Sequence, residues 1–169
     1  MIDKIIYGEN IALSSAKCIV NVANGFGYMG GERCIKEQHT GVAESIQFVS
    51  NGEVEKLARL RCKNHSLFGY SAGSVFITEA PKMKASGIIH AVTMRTPGSK
   101  SKLKIIKKLI PEIVRVAEYM HFPTVAVPLL GTGTGRLSEQ DVYCCFLEEP
   151  SFTNSNVRFW IYTNFCHQS

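Results

Sequence analysis

Two apolar segments of this chain run directly into glycine-rich loops, and this feature constrains the fold most. The segment CIVNVA leads into NGFGYMGG at residues 24–31, and TVAVPLL leads into GTGTG at residues 131–135. Glycine allows positive φ and close approach of the backbone, so successive N–H groups in such loops can point at one anion. Open α/β sheets bind ligands beyond the carboxyl ends of their strands. The sequence therefore predicts a diphosphate held between two loops at one edge of a sheet.

Other short apolar runs predict the remaining strands. We expect strands at residues 5–7 with 11–13, then at 17–22, 74–78, 87–93, 124–129 and 157–163. The runs at 18–22 and 125–127 are rich in β-branched residues and do not alternate with polar ones, which is typical of strands buried on both faces. The short N-terminal strands are expected to add antiparallel pairing.

Helical periodicity fills the gaps between these strands, at residues 42–49, 53–62 and 103–120. Pro111 is expected to kink or split the longest helix, since proline lacks a backbone donor and clashes with the preceding turn. Ser138 is a candidate N-cap, because acidic residues follow it in the next turn. Alternating strands and helices predict a three-layer α/β/α sandwich with a mixed, largely parallel central sheet. No linker divides the chain, so residues 1–169 are expected to form one domain.

Composition limits the setting and the partners. We find no secretory signal and no apolar run near the roughly 18 residues that span a bilayer, which favours a cytoplasmic protein without a membrane partner. The six cysteines include no C-x-x-C pair, so reduced thiols are expected, with no metal and no cofactor. The net charge of +5 is concentrated at residues 100–108, KSKLKIIKK. We interpret this run as an amphipathic helix with a solvated basic face; a nucleic-acid site is the alternative.

The glycine loops could belong to other nucleotide sites, or could simply make tight turns. GTGTGR lacks the G-K-[S/T] ending of a P-loop and does not match G-x-G-x-x-G. Asn24 could contact the ligand or brace its own turn. Glu32, the carboxylate directly after the first loop, could contact the ligand or start a solvated helix. His90 lies in an apolar strand and is expected to be a hydrogen-bonded core residue.

Four motifs in this order resemble the macrodomain family, and together they span nearly the whole chain. They are GENI at residues 8–11, CIVNVANGFGYMGG at 18–31, SGIIHAVTMR at 86–95 and TVAVPLLGTGTGR at 124–136. The GYMGG loop and the GVAES segment suggest a divergent bacterial or phage-like branch. The resemblance implies a three-layer α/β/α module that binds ADP-ribose, and some members hydrolyse ADP-ribosyl bonds.

The resemblance also implies a role for each matching position. Glu9 or Asn10 would accept a hydrogen bond from the adenine amino group, with Ile11 beside the ring. Asn24 would bind the distal ribose, in a pocket shaped by Met29, Gly30 and Gly31. The diphosphate would lie on the second loop, and Asn164 and Phe165 would form the adenine wall. The residues of that second loop are Gly131, Thr132, Gly133, Thr134 and Gly135.

The chain departs from the family pattern at two positions. Glu9 stands where the family usually has an adenine-contacting Asp, and Arg33 stands where the best-known hydrolase branch has its catalytic Asp. Glu32 and Asn24 are therefore the catalytic candidates, and binding of ADP-ribose or ADP-ribosylated macromolecules by a monomer is expected, with weak hydrolysis. An enzyme acting on another nucleotide diphosphate, or a nucleic-acid-binding module, is the alternative.

Overall fold

A computed structural model describes residues 1–164 and builds them around a six-stranded sheet. In chain order the strands are β1 (Ile2–Tyr7), β2 (Cys18–Asn24), β3 (Val75–Glu79), β4 (Gly87–Met94), β5 (Thr124–Pro128) and β6 (Arg158–Thr163). Their order across the sheet is β1-β6-β5-β2-β4-β3. Neighbouring strands pair in parallel, apart from β3, which runs antiparallel to β4. The prediction of a mixed, largely parallel sheet is confirmed.

Helices cover both faces of this sheet. They are α1 (Gly31–Lys36), α2 (Val42–Val49), α3 (Glu53–His65), α4 (Leu103–Tyr119), α5 (Glu139–Glu148) and α6 (Pro150–Thr153). Successive strand residues enter different cores, as side chains on a strand alternate between faces. Val20 packs with the core that contains α4 to α6, whereas Ile19 packs with the core that contains α2 and α3. The sheet is therefore the middle of three layers, as the apolar runs predicted.

The N-terminal segment differs from the prediction. Within this segment only Ile2–Tyr7 forms a strand, and it pairs with β6 in parallel, whereas antiparallel pairing was expected. Gly8 has a φ of 69°, which ends the strand, and residues 11–13 form one 3-10 turn. The Asn10 Oδ1 accepts a hydrogen bond from the Ala12 N–H at 3.0 Å and caps that turn. A capping side chain thus overrides the β propensity of Ile11.

Pro111 does not split α4, which runs unbroken from Leu103 to Tyr119. The helix buries Ile106 and Leu109 before the proline and Ile113 after it, all against the sheet. Tertiary packing on both sides outweighs one lost backbone hydrogen bond. Ser138 caps α5 as predicted, since its Oγ accepts a hydrogen bond from the Asp141 N–H.

The thiols of the described cysteines are free, and Cys166 lies outside the described residues. Across residues 1–164, no helix is long and apolar enough to cross a membrane. His90 is a core residue, as predicted: it is fully buried in β4, and its ring nitrogens hydrogen-bond Asn21 and Thr78.

Candidate functional site

A cleft of about 570 Å³ opens at the carboxyl ends of the parallel strands. The strand order sets its layout, because the segments after β1, β6, β5 and β2 follow one another along this edge. The two glycine loops therefore face the same cleft, with the loop after β5 between the β1 end and the β2 end. Such a volume suits a nucleotide-sized ligand.

Asn24 shapes the first glycine loop. Its Oδ1 accepts hydrogen bonds from the N–H groups of Phe26 and Tyr28, at 3.1 and 3.2 Å, and its Nδ2 donates to the Tyr28 carbonyl at 2.8 Å. Asn24 also lines the cleft. The two interpretations of Asn24, turn residue and cleft residue, are thus compatible.

A buried carboxylate holds the far end of the same loop. Glu55, on α3, accepts hydrogen bonds from the Met29 N–H at 2.6 Å and the Gly31 N–H at 3.0 Å. The Gln47 side chain donates to both Glu55 and the Gly31 carbonyl. Sequence reasoning missed Glu55, because it is distant along the chain and lies in an ordinary amphipathic helix.

The second loop owes its shape to its outer glycines. Gly131 has a φ of 76°, and a Cβ on Gly135 would lie 2.5 Å from the Gly131 carbonyl oxygen. A Cβ on Gly133 would meet nothing within 4 Å, and the φ of Gly133 is not in the left-handed region. Gly131 and Gly135 are therefore needed for the fold of the loop. Gly133 is not, and because it lines the cleft, its missing side chain leaves open space there.

The structure brings most of the predicted site residues to this cleft. Its lining includes Glu9, Ile11, Asn24, Gly30, Gly131, Thr132, Gly133, Thr134, Gly135 and Asn164. Asn10 borders a neighbouring hollow instead, with its side chain engaged in capping. Phe165 lies outside the described residues.

Three predicted residues of the first loop region are not in the cleft lining. Met29 is buried beneath the loop, and Gly31 begins α1. The Glu32 side chain is 79% exposed and pairs with Lys36 at 3.3 Å. The structure therefore places the Glu32 carboxylate on the solvent side of α1.

The connection between α1 and α2 lines the cleft, and sequence reasoning missed it. Residues 40–44 contribute to the wall, and Glu44 supplies a carboxylate from the first turn of α2. The signal in the sequence was a glycine, Gly41, directly before a predicted helix. In the structure this glycine has a φ of 111°. Glu139, at the start of α5, was missed as well.

Among residues 1–164, the charged side chains that line the cleft are all acidic: Glu9, Glu44 and Glu139. Within the described chain no lysine or arginine belongs to the lining, and no group of residues has the arrangement of a metal site. Among the described residues, an anion in the cleft therefore meets neutral donors: backbone N–H groups, hydroxyls and the side-chain amides of Asn24 and Asn164. Glycine loops that follow strands are suited to this, since their N–H groups can converge on one anion.

Comparisons with known proteins agree with this architecture. A family model described as Macro domain matches residues 20–146. A protein of Aquifex aeolicus is 32% identical over 146 residues, which are 86% of this chain and 79% of that protein. The macrodomain of Mycobacterium tuberculosis DarG superimposes with a TM-score of 0.75 and 25% identity, covering 94% of this chain and 96% of that one. Thermosipho africanus DarTG in complex with ADP-ribose superimposes with a TM-score of 0.70 and 20% identity, covering 89% of this chain and 38% of that one.

Proposed function

Since this chain belongs to the macrodomain family, we propose that it binds ADP-ribose, free or attached to a macromolecule, in the cleft between its two glycine loops. The observation that carries the proposal is the cleft itself. It has two glycine loops, no cationic side chain in its lining within residues 1–164, and room for a nucleotide. A relative of the same fold is described in complex with ADP-ribose.

In the proposed arrangement the ligand follows the order of the strand ends. The adenine lies near Glu9 and Ile11, after β1, with Asn164 on the β6 side. The diphosphate lies on the Gly131–Gly135 backbone after β5. The distal ribose lies by Asn24 and Gly30, after β2. This order is supported by the sheet topology, in which β5 lies between β6 and β2.

Calorimetric titration with ADP-ribose and AMP tests the proposal. AMP lacks the second phosphate and the distal ribose, so it reaches only part of the cleft and is expected to bind more weakly. Equal affinities for the two ligands would remove the reason for two loops, and no binding of ADP-ribose would overturn the proposal.

We further propose weak hydrolysis of ADP-ribosyl esters, with Asn24 orienting the ribose. The sequence predicts Glu32 as a base acting through water, whereas the structure places its carboxylate outside the cleft lining and paired with Lys36; Arg33 beside it cannot serve as a base at neutral pH. The test is release of ADP-ribose from a substrate modified on acidic residues, by the wild type, Asn24→Ala and Glu32→Gln. Wild-type turnover that Glu32→Gln leaves unchanged would refute the role of Glu32. Tight binding with no turnover would make the protein a reader of the modification.

We also propose that residues 1–169 act as one module, as a monomer, in the cytoplasm. A sedimentation measurement of the free chain would test its oligomeric state.

A further inference from the structure

Glu44 is the cleft carboxylate nearest the first glycine loop. Its Cγ lies 3.5 Å from the position that a Cβ on Gly30 would take, and a Cβ on Gly41 would collide with its carboxylate. Both glycines have positive φ. The absent side chain of Gly41 thus leaves the space that the Glu44 carboxylate occupies at the wall of the cleft, beside Gly30.

Within residues 1–164, no hydrogen bond or ion pair engages the Glu44 carboxylate, whereas Glu32 pairs with Lys36 and Glu55 accepts backbone N–H groups. A half-buried carboxylate is stabilised by donors, and an ionised one is only an acceptor. A ligand with hydroxyl groups can supply the hydrogen-bond donors that residues 1–164 do not offer to the Glu44 carboxylate.

The proposed ligand presents hydroxyl donors at this end of the cleft. With the diphosphate on the loop after β5, the sugar beyond it reaches the loop after β2, where Glu44 packs against Gly30. A ribose offers vicinal hydroxyls there. ADP instead ends in a phosphate, and an anion directed toward a carboxylate is repelled.

We propose that Glu44 accepts hydrogen bonds from the hydroxyls of the distal ribose and thereby determines preference for ADP-ribose over ADP. The inference rests on the proposed binding of ADP-ribose. Glu44 is then a specificity-determining residue that acts in two ways: it attracts a ligand with a sugar at this end and disfavours one with a terminal phosphate.

The affinities of Glu44→Ala for ADP-ribose and ADP, measured by calorimetry, test this assignment. We expect ADP-ribose to bind at least about tenfold more weakly, the size of one hydrogen bond to a charged group, while ADP binds unchanged or more tightly. Glu44→Gln keeps an acceptor without the charge and should show a smaller loss for ADP-ribose. It also serves as the second variant if Glu44→Ala does not fold.

Glu53→Ala is the matched control, because Glu53 also lies in the first turn of a helix but is outside the cleft lining and pairs with Lys56. Its preference for ADP-ribose should equal that of the wild type. An equal loss for both ligands in the Glu44 variants, or an unchanged preference, would overturn the role of Glu44 while leaving ADP-ribose binding in place. A wild type that binds no ADP-ribose would instead overturn the proposed function, and this inference with it.

Discussion

Glu55 shows how one residue can fix the shape of a site that it does not line. Its carboxylate is buried under the first glycine loop and accepts two backbone N–H groups, from Met29 and Gly31. The hydrogen bond from Met29 is buried and the one from Gly31 is partly buried, so water does not readily replace the carboxylate. Glu55 therefore stabilises the loop, because without its carboxylate these N–H groups would be unpaired donors, which costs free energy of folding.

Glu55→Ala is expected to lower the free energy of unfolding by about 3 kcal/mol, as one buried and one partly buried N–H group lose their acceptor. Urea denaturation followed by circular dichroism measures this change. Glu53→Ala, two residues earlier in the same first turn of α3 and half-exposed, should stay within about 0.5 kcal/mol of the wild type. Equal stability of the two variants would show that the loop does not depend on Glu55.

The surroundings of His90 determine its protonation state in the folded protein. Asn21 Nδ2 donates to its Nδ1, so the proton is on Nε2, which donates to the Thr78 Oγ1 at 2.8 Å. The ring also stacks on Phe76. Burial, with a smaller contribution from Arg61, lowers the pKa of His90 to about 3. The folded protein therefore holds His90 neutral, whereas the unfolded chain protonates it below its ordinary pKa.

The stability that His90 contributes is expected to be complete above the ordinary pKa of 6.5 and to be lost as the pH falls toward 3. In that window the unfolded state binds one proton more, so the free energy of unfolding falls by about 1.4 kcal/mol per pH unit. Urea denaturation between pH 7 and pH 4 compares His90→Gln with the wild type. The variant should have a shallower slope. Parallel slopes for the two proteins would contradict a buried neutral His90.

At the scale of elements, the second glycine loop separates two tasks. Gly131 and Gly135 permit the turn, since one has positive φ and the other packs on a carbonyl oxygen. Gly133 has neither a positive φ nor a close contact at its Cβ position, so the backbone does not require a glycine there. Its missing side chain leaves room beside the proposed diphosphate.

Gly133→Val is therefore expected to keep the stability of the wild type and to weaken ADP-ribose binding by at least about tenfold, because the side chain would occupy the space of the anion. Gly135→Val should lose stability, as its Cβ would collide with backbone. Thermal denaturation and calorimetry on both variants make the comparison. Unchanged affinity in Gly133→Val would place the ligand elsewhere.

Elements with strong local patterns could be predicted from the sequence, and those set by distant contacts could not. Apolar residues recur three or four positions apart in α2, and this segment forms a helix with the predicted bounds, Val42–Val49. Ile11 has β propensity, but the Asn10 side chain caps a turn there. Both glycine loops were predicted from local composition. Glu44 and Glu55 were not, because only the packing of α2 and α3 on the sheet brings them to the first loop.

The whole molecule separates its positive charge from its cleft. The basic run of residues 100–108 lies largely on α4, which packs on the sheet through its apolar face. None of its lysines belongs to the cleft lining. An overall charge of +5 still favours the approach of an anion through long-range attraction, which salt screens.

Replacement of Lys104, Lys107 and Lys108 together by Gln is thus expected to leave ADP-ribose affinity within about threefold of the wild type. Calorimetry at two salt concentrations measures this, and nucleic-acid binding can be followed in parallel. A loss of about tenfold or more, or a steep dependence of wild-type binding on salt, would favour the basic helix as the site instead.

The most direct test of the central claim is a crystal structure of the protein with ADP-ribose. We expect the diphosphate within hydrogen-bond distance of N–H groups of residues 131–135, the adenine between Ile11 and Asn164, and the distal ribose against Asn24, Gly30 and Glu44. ADP-ribose bound on the basic face of α4, or lying in the cleft in the reverse direction, would contradict the account.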